Sequence, residues 1–340
     1  MKTVMVTGAG GYIGTELTKQ WLDQGWEVIA LDRYFFGVER LAHLADYSNL
    51  KIVKKDIRDL ELNDFSDIDV VCDLAALSND PAGDLNPNLT NDINHLGRKH
   101  VASCAKSAGV RRYVLASSCS VYGANDGGIL DESAKPNPLT VYAKANFSAE
   151  ESVLKLADAS FIVSVLRQAT VFGVSSRMRF DLVINIMTLN AVEKGKLFIT
   201  GGGKQWRPLI HVKDTARAFI MIAQANSDKV QKEIFNVGIA NYKIINLAYI
   251  VREIIPFPID VEVVPDDADK RDYKVSFSKI NKTLDFQPEY TPESAVSEIY
   301  QGLKMGTVCW EPWCNTVNWY KRIIDAKALL QEVELNNRLI

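Results

Sequence analysis

The chain has 340 residues, of which 47% are hydrophobic and 24% are charged, and its formal net charge is −3. This composition is typical of a folded globular protein and excludes a disordered or collagen-like chain. The length allows two domains, and the lack of a basic excess argues against nucleic acid as the main partner.

The first half of the chain alternates short apolar strands with helices. Strands are predicted at residues 2–7, 27–31, 51–54, 69–74, 112–116 and 161–166, and helices at residues 12–24, 91–108 and 139–157. Short apolar strands separated by helices predict an α/β fold with a doubly wound parallel sheet that is covered on both faces.

Beyond residue 173 the pattern is looser. Helices are predicted at residues 180–193, 212–225, 245–254, 292–304 and 317–335, and a strand at residues 234–237. No flexible linker separates this part from the first, so we expect it to pack on the first part. The boundary is open, because residues 212–237 are able to return to the first domain.

The sequence indicates a cytoplasmic protein. No stretch approaches the roughly 20 apolar residues that span a bilayer, so no membrane association is predicted. The first residues lead directly to Gly8 and lack the apolar stretch of a signal peptide. The five cysteines are scattered and form no CxxC pair, which predicts neither a disulfide framework nor a metal site.

A glycine-rich segment, TGAGGYIG at residues 7–14, follows the first strand and opens the first helix. Gly8, Gly11 and Gly14 permit a tight turn and a close approach to a pyrophosphate, and the helix N-terminus supplies N–H donors. A plain structural turn is the alternative. The position between strand and helix favours a dinucleotide site that includes Tyr12 and Ile13.

Acidic residues after the next two strands add to this interpretation. Asp32 ends the second strand, where a carboxylate binds ribose hydroxyls and disfavours a 2′-phosphate. NAD is therefore predicted rather than NADP, although the adjacent Arg33 is the feature that would favour NADP. Asp56 and Ile57 follow the third strand, and Asp56 either binds the adenine amine or caps the next helix.

A series of short motifs runs in order along residues 3–295. They are residues 7–14, 56–57, 74–76, Asn94, 117–123, 138–142, Glu150, 166–167, 207–212, Asp214, 236–238 and 271–273. In these motifs the chain closely resembles the extended short-chain dehydrogenase/reductase family, the nucleotide-sugar epimerases and dehydratases.

The resemblance implies a fold, a cofactor and a substrate class. The fold is a Rossmann sheet formed by residues 1–173 and about 208–241, with a smaller mixed C-terminal substrate domain at residues 174–207 and 242–340. NAD is the implied cofactor, and a nucleoside-diphosphate sugar is the implied partner. Leu74, Ala75, Ala76 and Asn94 are implied cofactor residues. The tail contains Trp310, Trp313 and Trp319 and is either a lid or a dimer surface, and a homodimer is predicted.

The resemblance also implies the catalytic residues. Tyr142 takes or returns the proton of the sugar hydroxyl, and Ser118 hydrogen-bonds the same oxygen. The family has a lysine four residues after this tyrosine, but here the position holds Asn146. A tyrosine pKa of about 10 needs help for base catalysis near neutrality. Asn146 keeps a hydrogen bond to the cofactor ribose but brings no charge, and Lys144 lies on another helix face.

A second departure concerns the dehydratases of the family, which have an Asp-Glu pair after the serine. Cys119 and Ser120 occupy those positions here, so elimination of water is not supported. Cys119 is either a thiol acid–base or a small packed residue.

The substrate residues are predicted in the second half of the chain. The contexts of Arg207 and Arg271 match family positions that clamp the substrate diphosphate, and guanidinium groups bind phosphate in a bidentate manner. Arg177, Arg179 and Asn185 are further candidates, with exposed polar surface as the alternative.

The predicted function is NAD-dependent modification of a nucleoside-diphosphate sugar by hydride transfer. The predicted reaction is oxidation at C4 and return of the hydride to the opposite face, which is an epimerisation. A net dehydrogenase or ketoreductase, or a dehydratase, on the same site is one alternative. A catalytically weakened protein that binds NAD and nucleotide sugar is another, because of Asn146.

Overall fold

The computed structural model describes residues 2–124, 128–264 and 272–335. Its strands are β1 (Thr3–Thr7), β2 (Glu27–Asp32), β3 (Leu50–Lys54), β4 (Val70–Asp73), β5 (Arg112–Ser118), β6 (Ile129–Leu130), β7 (Ile162–Gln168), β8 (Thr170–Phe172), β9 (Lys196–Thr200), β10 (Trp206–His211), β11 (Ile234–Val237), β12 (Ala240–Lys243), β13 (Asp260–Val264) and β14 (Lys274–Val275).

Helices connect and cover these strands. They are α1 (Tyr12–Asp23), α2 (Asp80–Gly83), α3 (Pro87–Asn91), α4 (Arg98–Ser107), α5 (Val141–Leu154), α6 (Val183–Lys194), α7 (Val212–Gln224), α8 (Ser227–Val230), α9 (Ile244–Ile254), α10 (Ser278–Leu284), α11 (Pro292–Met305) and α12 (Thr316–Val333). Short 3-10 segments lie at Val38–Leu44, Ile57–Asp59, Leu62–Phe65, Cys119–Tyr122, Gly201–Gly203 and Pro312–Cys314.

The central sheet has seven strands in the order β11-β7-β5-β4-β1-β2-β3, and all neighbours are parallel. Alternate residues of β1 enter two different cores, since Val4 and Val6 pack on one face and Met5 on the other. This burial on both faces explains the continuous apolar runs of the strands. The predicted doubly wound α/β sheet is confirmed.

The strand order reverses between β1 and β4, because the chain winds from β1 outward through β2 and β3 before it returns to β4. In an open α/β sheet, a crevice forms outside the carboxyl ends of the two strands at such a point. The glycine-rich segment follows β1 directly, and residues 74–76 follow β4. The topology therefore brings these two predicted segments to one place.

The predicted helix over residues 91–108 is longer and less regular in the structure. It begins at Pro87, where the side chain of Asn86 caps the helix by accepting from the Leu89 N–H. A π-helical segment, Asp92–Gly97, separates α3 from α4. Such segments are rare and are often found at functional sites.

Smaller sheets build the other part of the molecule. β12, β10 and β8 form a three-stranded sheet, β13 pairs with β9, and β14 pairs with β6. β11 instead pairs with β7 at the edge of the central sheet. Residues 208–241 therefore contribute β11 to the central sheet and most of β10 to the three-stranded sheet. Within the described ranges, no helix is both long and apolar enough to cross a membrane.

A buried ion pair ties α5 to the central sheet. The Arg167 guanidinium on β7 donates to the Glu150 carboxylate on α5, with Nη2 2.6 Å from Oε2, and both side chains are almost fully buried. The Ser117 hydroxyl donates to the same carboxylate, and Arg167 Nη1 donates to the Tyr122 hydroxyl at 3.0 Å. Each charge is therefore satisfied by its partner.

Replacing Arg167 with methionine is expected to lower the free energy of unfolding by about 3–5 kcal/mol, because it leaves the Glu150 carboxylate buried without its partner. Urea denaturation checks this value. Lys19→Met is the matched control, since Lys19 and Asp23 form an exposed pair at 2.6 Å that contributes under about 1 kcal/mol. Equal losses in the two variants would contradict this role of the buried pair.

Candidate active site

The glycine-rich loop packs so closely on the end of β4 that side chains are excluded. Gly8 has a φ of +71°, and a Cβ at this residue would lie 2.9 Å from the backbone nitrogen of Ala75. A Cβ on Gly14 would lie 2.0 Å from the carbonyl oxygen of Gly8. The loop therefore presents bare backbone at the start of α1, which is the cradle that a pyrophosphate requires.

A cleft opens at this loop, and most of the predicted site residues line it. Those that line it are Gly8, Gly11, Tyr12, Ile13, Gly14, Asp32, Arg33, Asp56, Ile57, Leu74, Ala75, Ala76, Ser118, Tyr142, Arg177 and Arg179. Five other predicted residues are not among the described lining residues: Asn94, Cys119, Asn146, Asn185 and Arg207. Arg271 lies outside the described residues.

The Asp32 carboxylate lies at the carboxyl end of β2, against the glycine-rich loop. It accepts hydrogen bonds from the N–H groups of Gly10 at 3.0 Å and Tyr34 at 2.6 Å. Burial raises the pKa of the carboxyl, and these N–H donors oppose the rise. The carboxylate is thus fixed by backbone at the rim of the cleft.

Arg33 points to a different carboxylate. Its Nη1 donates to Asp56 Oδ2 at 3.0 Å, and its guanidinium lies 4.6 Å from the ring of Phe35. Asp56 also accepts from the backbone N–H and the guanidinium of Arg58, which lower the pKa of its carboxyl to about 2. Asp56 therefore caps the short Ile57–Asp59 helix and lines the cleft as well.

Tyr142 and Ser118 reach the cleft from two neighbouring elements. Tyr142 is in the first turn of α5, whose N-terminus is capped by Thr140, and a Cβ on Gly83 would lie 3.0 Å from the Tyr142 Cβ. Ser118 ends β5, and its hydroxyl accepts from the Ser120 N–H at 3.1 Å. Both residues line the same cleft as the glycine-rich loop.

Asn146 lies one turn after Tyr142 and is buried behind the cleft wall. Its Nδ2 donates to the Tyr142 carbonyl oxygen at 2.9 Å, and its Oδ1 accepts from Arg98 Nη1 at 2.7 Å. Arg98 itself lines the cleft. Burial raises the pKa of the Tyr142 hydroxyl, and the positive charge of Arg98 opposes the rise. Sequence reasoning missed Arg98, because no local pattern links it to Asn146.

Asn94 and Asn185 hold the cleft wall from behind. The Asn94 side chain accepts from the Leu77 N–H at 2.8 Å and donates to the Leu77 carbonyl at 3.0 Å, which anchors the loop after β4. Asn185 accepts from the Gly173 N–H at 3.0 Å and donates to the Tyr12 hydroxyl at 3.1 Å. In the structure both amides bond to protein groups.

Cys119 points away from the cleft. Its thiol is buried, lies 3.3 Å from the Arg167 carbonyl oxygen, and has a pKa that burial raises. This placement supports the packed-residue interpretation and not a thiol acid–base. The next residue behaves differently, since Ser120 lines the cleft, and its buried hydroxyl has no hydrogen-bond partner within the described part of the chain.

The predicted substrate arginines are placed at different points. Arg179 forms a two-bond ion pair with Asp181, at 2.8 and 3.0 Å, and lines the cleft. Arg207 is buried on β10, where its Nη1 donates to the Trp206 carbonyl at 2.8 Å. The Trp206 N–H donates to Asp272, the residue after Arg271. Asp272 is thus in contact with the residue before Arg207 on β10.

Arg177 is almost fully buried beside the dinucleotide end of the cleft. Its guanidinium lies 3.7 Å from the ring of Phe36, and Nη2 donates to the Thr316 hydroxyl at 2.9 Å. Burial and the nearby charge of Arg179 lower the pKa of Arg177 to about 10. Its Nε is buried and has no hydrogen-bond partner among the residues that the structure describes.

Aromatic residues from distant parts of the chain form the wall around Arg177. Tyr320 of α12 packs on Phe35 and Phe36, with ring centroids 6.0 and 5.6 Å apart, and all three side chains line the cleft. Trp319 Nε1 donates to the Phe35 carbonyl at 2.6 Å. The tail helix therefore covers this end of the cleft. Its aromatic residues suggested a lid or a dimer surface but not this contact.

Known proteins resemble this chain over most of its length. A sequence model of the NAD dependent epimerase/dehydratase family matches residues 4–238. The UDP-glucuronate 4-epimerase of Thermodesulfobacterium geofontis is 27% identical over 337 residues, which cover 94% of this chain and 97% of the relative.

Solved structures share the architecture. MoeE5 in complex with UDP-glucose and NAD has a TM-score of 0.78 and 26% identity, covering 90% of this chain and 100% of that chain. The UDP-N-acetylglucosamine 4-epimerase from Methanobrevibacter ruminantium M1, in complex with UDP-N-acetylmuramic acid, has a TM-score of 0.81 and 25% identity, covering 90% and 99%.

The family match extends from β1 to the end of β11, so it contains the whole central sheet, the glycine-rich loop, Ser118 and Tyr142. This match covers well over half of the chain. The protein therefore belongs to the NAD-dependent epimerase/dehydratase family.

Proposed function

We propose that the protein is an NAD-dependent enzyme that epimerises the C4 carbon of a nucleoside-diphosphate sugar, with a UDP-sugar as the substrate. One observation carries the proposal: Tyr142 and Ser118 line the same cleft as the glycine-rich loop and Asp32. A hydroxyl acid–base pair thus lies next to a dinucleotide cradle. The similarity to MoeE5, which was solved with UDP-glucose and NAD, supports the choice of ligands.

The described residues fit NAD. Gly8 and Gly14 leave no room for side chains at the start of α1, which suits the pyrophosphate, and the Asp32 carboxylate is placed for ribose hydroxyls. Arg177 was a candidate for the substrate, but it lies beside Phe36, and its Nε has no hydrogen-bond partner among the described residues. We assign it to a cofactor phosphate, which a buried guanidinium binds well.

In the proposed mechanism, the Tyr142 hydroxyl oxygen accepts the proton of the sugar C4 hydroxyl, and Ser118 donates a hydrogen bond to the same oxygen. NAD, held by the glycine-rich loop and Asp32, would supply the acceptor and donor of the C4 hydride. Rotation of the oxidised sugar in the cleft would present the opposite face of C4, and Tyr142 then returns the proton to the C4 oxygen. Ser120, whose buried hydroxyl has no hydrogen-bond partner among the described residues, is placed to hydrogen-bond the sugar. Remote binding of the nucleotide orients the reacting carbon.

The substrate diphosphate is assigned to the cleft end beyond Tyr142. Arg179 lines the cleft, and Arg207 and Arg271 remain the proposed clamp, supported by the contact between Trp206 and Asp272. Asn185 supports the loop that carries Gly173. The predicted homodimer stays a prediction, which light scattering tests.

The geometry favours epimerisation over dehydration. Cys119 and Ser120 stand where dehydratases of the family have two carboxylates, and the Cys119 thiol is turned away from the cleft. Elimination of water needs a group that removes a proton from the neighbouring carbon. A serine hydroxyl without an adjacent base does not provide one.

Product analysis tests the proposed function. The enzyme is incubated with NAD and, separately, with UDP-glucose, UDP-glucuronic acid and UDP-N-acetylglucosamine, and the products are identified by NMR. We expect one of them to give its 4-epimer without net formation of NADH. Accumulation of NADH, or a deoxy-keto product, would favour the dehydrogenase or dehydratase alternative. Binding of both ligands without turnover would favour the weakened binding protein.

Cofactor preference is a separate expected result. The fixed Asp32 carboxylate repels a 2′-phosphate, so NAD is expected to bind at least about tenfold more tightly than NADP, which is about 1.4 kcal/mol. Calorimetric titration of both cofactors measures the ratio. Asp32→Asn should reduce it, whereas Asp46→Asn, on the exposed surface, should not. Equal affinities in the wild type would instead assign the specificity to Arg33.

A further inference from the structure

We propose that Arg98 supplies the fixed positive charge that tunes Tyr142 as an acid–base, and that Asn146 holds Arg98 in place for this task. Arg98 is a positioning and electrostatic residue on α4, a different helix from the one that carries Tyr142. The catalytic use of this charge rests on the proposed function. Its effect on the Tyr142 hydroxyl does not, because that effect exists without substrate.

The first step of the argument is the placement of Arg98. It follows the π-helical segment directly and begins α4, and only 2% of its surface is exposed. Its Nε donates to the Ala75 carbonyl at 3.0 Å and its Nη1 donates to Asn146 Oδ1 at 2.7 Å. Two fixed acceptors thus hold the guanidinium at the cleft wall that Tyr142 also lines.

The second step is the choice of asparagine at position 146. Its Oδ1 provides the acceptor for Arg98, and its Nδ2 bonds back to the Tyr142 carbonyl at 2.9 Å. A lysine at this position would offer no acceptor and would place a second buried cation against the guanidinium. The uncharged Asn146 therefore accommodates the buried charge of Arg98, and a lysine at position 146 would not.

The third step is the charge balance around Tyr142. Arg179 also acts on the phenol, but its charge is matched by the two-bond pair with Asp181. Asp80 acts in the opposite direction, and its carboxylate accepts from the Thr140 hydroxyl. Within the described part of the chain, Arg98 forms no ion pair with a carboxylate.

A buried carboxylate, Asp73, lies on the other side of Arg98. It interacts electrostatically with the guanidinium, but its oxygens accept from the hydroxyls of Thr7, at 2.5 Å, and Tyr113. Among the residues that the structure describes, Arg98 is therefore the cation near Tyr142 that forms no direct ion pair. A fixed positive charge stabilises the phenolate that forms when Tyr142 loses its proton.

The test measures ionisation of Tyr142 directly and without substrate. Tyrosinate absorbance in the ultraviolet is followed against pH for the NAD-bound enzyme, and the same titration of Tyr142→Phe is subtracted. In Arg98→Met the Tyr142 transition should move to higher pH than in the wild type. Arg98→Lys keeps the charge and should restore most of the wild-type position. Lys99→Met, which removes an exposed charge from the next residue, should leave the transition unchanged.

A second test moves the positive charge from residue 98 to residue 146 and does not depend on the Arg98→Met variant alone. Asn146→Lys alone places two cations together, so its turnover should fall below that of the wild type. The double variant Arg98→Met/Asn146→Lys moves the single charge to the other helix and should exceed Arg98→Met in turnover at neutral pH by roughly tenfold or more. Circular dichroism and NAD titration confirm that each variant is folded.

The outcomes separate this inference from the proposed function. An unchanged Tyr142 transition in folded Arg98→Met, or a double variant no better than Arg98→Met, would overturn the role of Arg98. Absence of turnover with every UDP-sugar in the wild type would overturn the proposed function instead, while the absorbance titration would still decide on Arg98.

Discussion

Replacing Tyr142 with phenylalanine is expected to lower kcat for conversion of the UDP-sugar by about 10²–10⁴-fold, which is the usual contribution of a positioned acid–base. The phenylalanine ring keeps the packing against α2, so NAD and the nucleotide sugar should bind with near wild-type affinity. Steady-state kinetics and calorimetric titration with both ligands check the two parts of this expectation.

Tyr249→Phe is the matched control, because Tyr249 is 41% exposed on α9. This variant should retain wild-type kcat. A Tyr142→Phe enzyme with more than about a tenth of the wild-type kcat would contradict the assigned role, since that loss is below the range of acid–base catalysis. Loss of ligand binding in this variant would point to a structural role for the hydroxyl instead.

Replacing Gly14 with alanine is expected to disrupt the dinucleotide cradle. The new Cβ would lie 2.0 Å from the Gly8 carbonyl oxygen and 2.8 Å from the Ala9 Cα, so the backbone of the loop has to move. Overpacking of this kind costs about 1–3 kcal/mol of stability. NAD affinity should fall by tenfold or more, since a shift of about 1 Å misplaces the N–H donors.

Gly25→Ala provides the control for the Gly14 variant. Gly25 follows the other end of α1 and has open space around it, although its φ is +75°. The substitution therefore adds backbone strain of about 1 kcal/mol without a clash in the cradle. Denaturation curves and NAD titrations of both variants measure the difference. Wild-type NAD affinity in folded Gly14→Ala would show that the pyrophosphate does not bind at this loop.

The central sheet could be predicted because its strands are apolar runs that are separated by helices and glycine-containing turns. β1 and α1 follow from residues 2–24 alone. The alternation of strands with helices predicts that the strands run parallel. The small sheets were missed because their pairing is not local. Leu209 of β10, for example, lies between Thr170 of β8 and Ala240 of β12, and no local periodicity indicates such partners.

The candidate site could be predicted where its residues lie in contiguous motifs. Gly8, Asp32, Ser118 and Tyr142 follow strands or begin a helix, so their positions relative to the sheet follow from topology. The Asn146 departure was visible in the sequence as a missing charge. Arg98 was not, because its contact with Asn146 joins two helices across a π-helical segment whose geometry no sequence pattern predicts.

The cover of the cleft was beyond sequence reasoning for a similar reason. Tyr320 and Phe36 are far apart in the chain and meet only because α12 returns over the dinucleotide end. Arg177 was placed with the substrate because arginines in the irregular half have the right chemistry for either phosphate. Its contacts with Phe36 and Thr316 support the proposed assignment to a cofactor phosphate instead.

The proposed C4 epimerisation is tested most directly by the fate of the hydrogen at that carbon. The UDP-sugar that reacts is prepared with deuterium at C4 and converted by the enzyme in ordinary water with NAD. The proposed mechanism predicts that the 4-epimer retains the deuterium at C4, because the same hydride leaves and returns. Replacement of the deuterium by hydrogen from water, or inversion at another carbon, would contradict it.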